Sequence, residues 1–157
     1  MKKLVLLIIA TSLLFSCKSK KNTTEILKDE KKIISVKPSE VENTKINLAY
    51  NLGVRLLETC NTSTFKVFSK NEATEKVIAN ATPEKIAATC KKINQRNGKF
   101  LNLDLIDIQF NPITEDYYFR YDIQYEKKLF KRELFVTINK ENKVSAISTK
   151  EVKTKPF

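Results

Sequence analysis

The sequence predicts an α+β fold, with three N-terminal helices followed by a curved four-stranded antiparallel sheet inside residues 39–149. Three observations predict it. Apolar residues between 41 and 60 recur at helical steps, a second helical pattern between 82 and 98 carries its own start and stop signals, and after Gly98 the apolar period changes to two.

The first helix is expected to open at Ser39. Ser39 and Glu42 have capping-box spacing, in which each side chain satisfies the other's orphan backbone N–H. Val41, Leu48, Ala49, Leu52, Leu56 and Cys60 then share one face. Residues 61–63 interrupt the pattern. Phe65 and Phe68, three apart, suggest a short second helix. Residues 69–81 are poorly patterned, although Val77 and Ile78 are expected to be buried. Thr82-Pro83-Glu84 restarts a helix, with a capping threonine, proline in the first turn and an acid near the positive helix end. Its buried stripe is Ile86, Ala87, Cys90 and Ile93, and Asn97-Gly98 ends it.

In the sheet, Leu101, Leu103 and Leu105 face one way, while Ile106, Ile108 and Phe110 continue in the opposite phase. A slip of one residue predicts a β-bulge between Leu105 and Ile106 that bends the strand. Tyr117, Phe119, Tyr121, Ile123 and Tyr125 alternate strictly with polar residues. Residues 130–139 form the third predicted strand, 139–143 a turn and 144–149 the fourth.

The N-terminus carries a different signal. Lys2 and Lys3 precede an apolar run of twelve residues, Leu4 to Phe15. That run is shorter than the roughly 20 residues a spanning helix needs and suits the core of a signal peptide. Leu14-Phe15-Ser16-Cys17 resembles the lipobox of bacterial lipoproteins, although Phe15 is bulkier than the usual residue there. The resemblance implies cleavage after residue 16, a diacylglyceryl thioether on Cys17 and acylation of the new amine. The protein is then expected at a bacterial cell envelope, held to the membrane by lipid. Lys18, rather than an aspartate, favours the outer membrane. The alternative is an ordinary secretory signal followed by a chance cysteine. Residues 17–38 read as the lipidated cysteine and a flexible basic tether, with a mean reach of about 25 Å. Ile33, Ile34 and Val36 alternatively form a short strand at the domain edge. Residues 150–157 read as a basic tail.

The element order in 39–149, together with the Gly98-Lys99-Phe100 entry into the sheet, resembles the cone-shaped fold of nuclear transport factor two and the ketosteroid-isomerase-like and SnoaL-like proteins. The likeness is narrowest to small secreted or lipid-anchored bacterial members. It implies a cone-like domain and says little about activity, since that fold hosts enzymes, transport factors and plain binding modules.

The formal charge is +11, but most of it flanks the domain. Lys2 and Lys3 lie in the predicted signal. Residues 18–38 hold seven lysines against three acids, and residues 150–157 three lysines against one glutamate, which leaves +3 for 39–149. No nucleic-acid partner is expected from that distribution. The chain has no histidine, which removes the commonest general base and metal ligand, and its two glycines cannot build a phosphate-cradling loop. No cofactor, metal or catalytic residue is expected. Asp104, Asp107 and Asp122 fall opposite the apolar stripes and read as solvated.

Two features remain. Tyr117, Phe119, Tyr121 and Tyr125 share one face of one strand. They either floor a ligand pocket on the concave side of the sheet or pack as ordinary core, and the second is the commoner use of such a stripe. Cys60 and Cys90 are an even pair once Cys17 is lipidated. An oxidising compartment favours a disulfide over two buried thiols. The leading functional expectation is a non-enzymatic domain that binds a partner protein or a small apolar ligand at the envelope. The alternatives are a cone-fold enzyme of isomerase or dehydratase type and a purely structural envelope component.

Overall fold

The computed structural model describes residues 33–152. The signal peptide, Cys17, most of the tether and the end of the basic tail lie outside the described residues. The elements run β1 (Ile34–Val36), α1 (Asn43–Thr62), α2 (Glu75–Asn80), α3 (Pro83–Asn97), β2 (Phe100–Asn111), β3 (Asp116–Tyr125), β4 (Arg132–Ile138) and β5 (Val144–Glu151), with a 3-10 turn at Pro38–Glu40. The architecture is α+β with one antiparallel sheet in the order β1-β2-β3-β4-β5.

The sheet has five strands where four were expected. The extra one is β1, in the stretch read as tether, and it pairs Ile34 with Phe110 and Val36 with Ile108. The apolar alternation of 33–36 is used here to extend the edge of β2.

The helical region differs from expectation in its first half. Pro38 favours a 3-10 turn, and the Glu40 carboxylate accepts from Lys37 N–H at 2.8 Å. Helix α1 therefore starts at Asn43 rather than Ser39. Glu42 makes no cap because its carboxylate accepts from Lys45 Nζ at 2.9 Å and Thr44 Oγ1 at 3.3 Å. Ala49, Leu52, Leu57 and Cys60 form its buried face, with Leu48 and Leu56 half-buried beside them. Residues 64–68 are not helical. Phe65 and Phe68 meet edge to face at 5.4 Å, a local aromatic contact that mimics helical spacing. The second helix falls instead in the patternless stretch, at Glu75–Asn80, where Val77 is buried. Helix α3 keeps its expected bounds, with Ile86, Cys90 and Ile93 buried, but Ala87 is exposed. Gly98 closes it with φ +73°, a backbone angle that glycine accepts without a Cβ penalty.

The β2 strand carries a register shift between Leu105 and Asp107, with Ile106 unpaired, and another between Phe100 and Asn102. The first shift puts Leu103 and Ile108 on the same buried face although they are five residues apart. Phe119, Tyr121, Ile123 and Tyr125 of β3 and Leu134, Val136 and Ile138 of β4 complete that face. Helix α1 packs across β2, β4 and β5, α3 packs on α1, and α2 packs on β5. Fully burying each large side chain stabilises by about 1.5–3 kcal/mol, which makes this face the main source of stability.

Three asparagines tie the helices to β2, to each other and to the loop between β3 and β4. The Asn61 amide donates to Phe100 O at 2.8 Å and its carbonyl accepts from Phe100 N–H at 3.0 Å. Asn94 donates to Cys60 O at 2.6 Å, and the buried Asn97 donates to Phe130 O at 2.8 Å.

Candidate functional site

An apolar cavity of about 350 Å³ opens between the helices and β5. Its presence follows from what covers the sheet. Helix α3 packs on α1 rather than on β5, and α2, which does pack on that strand, is only six residues long. A gap therefore remains along β5.

Leu56, Leu57 and Cys60 of α1 form the back wall. Ile86, Thr89, Cys90 and Ile93 of α3 form the side, and Lys76, Val77 and Asn80 of α2 the upper rim. Five consecutive residues of β5, 145–149, form the other side. Cys60 and Cys90 are joined, with Sγ–Sγ 2.06 Å and Cα–Cα 4.8 Å, so that the covalent link between α1 and α3 is itself part of the wall.

Both ends of the cavity are held. At the top, Val144 N–H donates to Glu72 O at 2.9 Å and Thr74 N–H donates to Val144 O at 3.0 Å. That segment is fixed by Arg55, which meets the two Glu72 carboxylate oxygens at 3.0 and 3.1 Å. The Arg55 hydrogen bonds hold the Glu72 carboxyl down to about 2, against the opposing effect of burial. At the bottom, Glu151 pairs with Arg96 of α3 at 3.0 Å and with Arg132 of β4 at 3.6 Å.

Among the described residues, Lys76 is the only titratable group in the lining apart from the bonded cysteines, and the other polar groups there are hydroxyls and one amide. The strand carboxylates are engaged elsewhere. Arg120 grips Asp107 at 3.2 and 2.8 Å, Lys131 lies 3.5 Å from Asp122, and Asn102 donates to Asp104 at 3.0 Å. Among the described residues, no group of three or more acidic or cysteine side chains is placed to hold a metal ion, and no helix is long and apolar enough to cross a membrane.

The aromatic stripe lies away from this cavity. Phe119, Tyr121 and Tyr125 are buried in the main core, and Tyr117 is half-buried against Phe110 at 4.7 Å. None of the four lines the cavity at β5. Tyr125 borders a separate hollow of about 240 Å³ beside Lys127, Lys128 and Lys131. Burial raises the Tyr121 hydroxyl well above its usual range and pushes that of Tyr125 up to about 12. Neither hydroxyl has a hydrogen-bond partner among the described residues.

The residues that line the cavity gave weak sequence signals. Ser145-Ala146-Ile147-Ser148-Thr149 holds one large apolar side chain among small and polar ones, and α2 shows no clean period. A strand so poor in bulk, placed last in a meander, was the available sign of an uncovered edge. No family model, no curated protein and no solved structure matches the chain.

Proposed function

We propose that this protein is a lipid-anchored, non-enzymatic binding module of a bacterial cell envelope. Its site is the cavity between α2, α3 and β5, which receives the apolar groups of a small ligand or partner protein. The single observation that carries the site is that cavity of about 350 Å³, inside the size range of small-molecule pockets, with an apolar wall and no carboxylate in its lining. The anchor rests on the Leu14-Phe15-Ser16-Cys17 sequence, and the outer membrane on Lys18. The cone-fold likeness rests on helices packed over one face of a bulged strand meander. A catalytic role is disfavoured because the lining offers no acid–base pair.

The test uses the full chain in phosphatidylcholine vesicles with a diazirine-bearing alkyl probe. Irradiation is expected to label peptides from α3 and β5. Thr89→Trp, which fills the mouth from an exposed position, is expected to remove that labelling while the melting temperature holds. Uniform labelling, unchanged by Thr89→Trp, sinks the site. The anchor is tested separately: Cys17→Ser is expected to abolish processing or release the protein from membranes, and normal cleavage with membrane retention overturns it.

A further inference from the structure

We propose that the cavity takes an extended peptide segment, which adds to the free edge of β5 as a sixth strand. This rests on the reading of the cavity as the binding site and names the class of its occupant.

Strand β5 is last in the sheet, so beyond Val144 its outer side has no strand partner among the described residues. Residues of an antiparallel strand alternate between facing the neighbouring strand and facing away. Val152 N–H donates to Lys131 O at 2.9 Å, which sets the phase. Counting back by twos, Lys150, Ser148 and Ala146 face β4, while Ile147 and Thr149 turn their N–H and C=O groups outward. The register shift at Thr137 and Ile138 resets the count, and Val144 is again outward. Val144 uses that direction to bind Glu72 and Thr74, so the chain itself adds a short parallel segment to this edge. The segment then turns into α2, and the cavity begins where it leaves.

The cavity touches residues 145–149 without a gap. A strand bordering a cavity by its face alone would contribute every second residue. Five in a row mean that the backbone edge is open to the cavity. No backbone partner outside the β4 ladder reaches Ile147 or Thr149 among the described residues. A purely apolar molecule filling the cavity would strip water from these groups and leave them unpaired, at a cost comparable to a lost hydrogen bond. A peptide strand supplies the matching N–H and C=O groups and places every second side chain against Ile86, Ile93 and Ile147. Lys76, the cationic group that α2 contributes to the lining, favours an acidic residue at the end of the segment beside α2.

The test again uses the full chain in phosphatidylcholine vesicles. The probe is a capped peptide of about seven residues, strand length plus ends, alternating valine with threonine and carrying one terminal glutamate. Two further peptides carry N-methyl groups on alternate amides, one in each phase. The parent peptide is expected to bind and to slow hydrogen exchange at the amides of Ile147 and Thr149. N-methylation in one phase is expected to weaken binding at least about tenfold and in the other phase to change it little. Thr149→Pro, which removes an outward N–H and no β4–β5 bond, is expected to give a similar loss. If Thr149→Pro does not fold, the methylated peptides carry the test alone. Equal binding of both methylated peptides, or unchanged exchange at Ile147 and Thr149, overturns the strand inference. So does absence of peptide binding while the alkyl probe still labels the cavity, and the cavity reading then stands. Failure of both probes removes both.

Discussion

Gly53 of α1 stands against Leu134 of β4 so closely that a Cβ added to Gly53 would lie 2.5 Å from Leu134 Cδ2 and 3.1 Å from Leu103 Cδ1. The helix crosses the sheet at this point, and Leu134 is fully buried, so the side chain has nowhere to withdraw. Gly53→Ala gains about 1 kcal/mol of helix propensity and incurs an overpacking cost of about 1–3 kcal/mol. The expected net result is a loss of about 1 kcal/mol, read from the urea midpoint. Leu134→Val in the same chain is expected to relieve part of the clash, so the two substitutions should be non-additive. A stabilised Gly53→Ala would show that the helix can lift from the sheet.

The link between Cys60 and Cys90 closes a loop of sequence separation 30. On the chain-entropy model a loop of this size contributes about 3–4 kcal/mol. The Cys60→Ala, Cys90→Ala double variant is expected to lose about that much in denaturant unfolding. The α1–α3 wall should also loosen, visible as faster hydrogen exchange at Ile86 and Ile93. A loss below about 1 kcal/mol would mean that packing alone holds the two helices.

Glu72 has its carboxyl lowered from 4.5 to about 2, chiefly by the Arg55 hydrogen bonds. A group whose folded value is depressed contributes stability that is present above its unfolded value and lost as pH falls through the folded one. The window is therefore about pH 4.5 down to 2. Partial exposure of the pair reduces the expected contribution to about 1–2 kcal/mol. Glu72→Gln should cost about that much at pH 7 and flatten the stability profile across the window. An unchanged profile would show that Arg55 and Glu72 make no net contribution.

Tyr121 separates packing from hydrogen bonding. Its ring is 2% exposed and its hydroxyl has no partner among the described residues. Tyr121→Phe removes an unpaired buried polar group and is expected to be neutral or stabilising by up to about 1 kcal/mol. Tyr121→Ala removes the ring and is expected to cost about 3–5 kcal/mol. Alkyl-probe labelling at the β5 cavity should survive the Phe substitution. A destabilised Tyr121→Phe would reveal an ordered partner for the hydroxyl.

The α+β class, the bounds of α3, the switch of period after Gly98 and the bulge at Ile106 are legible in the residues alone. Each is written in local residues: a cap and a proline at Thr82-Pro83, a glycine that accepts positive φ, and a one-residue slip between Leu105 and Ile106. Local signals misled where a competing contact won. Ser39 and Glu42 have capping spacing, but Glu40 and Glu42 bond to Lys37 and Lys45 instead, and the Phe65 spacing serves an aromatic pair rather than a helix. The cavity arises from long-range packing. Whether a strand face is core or pocket depends on which helix lies over it, and alternation along Tyr117 to Tyr125 is the same in both cases. Helix α1 covers the aromatic face, while α3 turns toward α1 and leaves β5 partly uncovered. That choice is made by α1–α3 contacts such as Cys60–Cys90, at a sequence separation of 30, which no local period records.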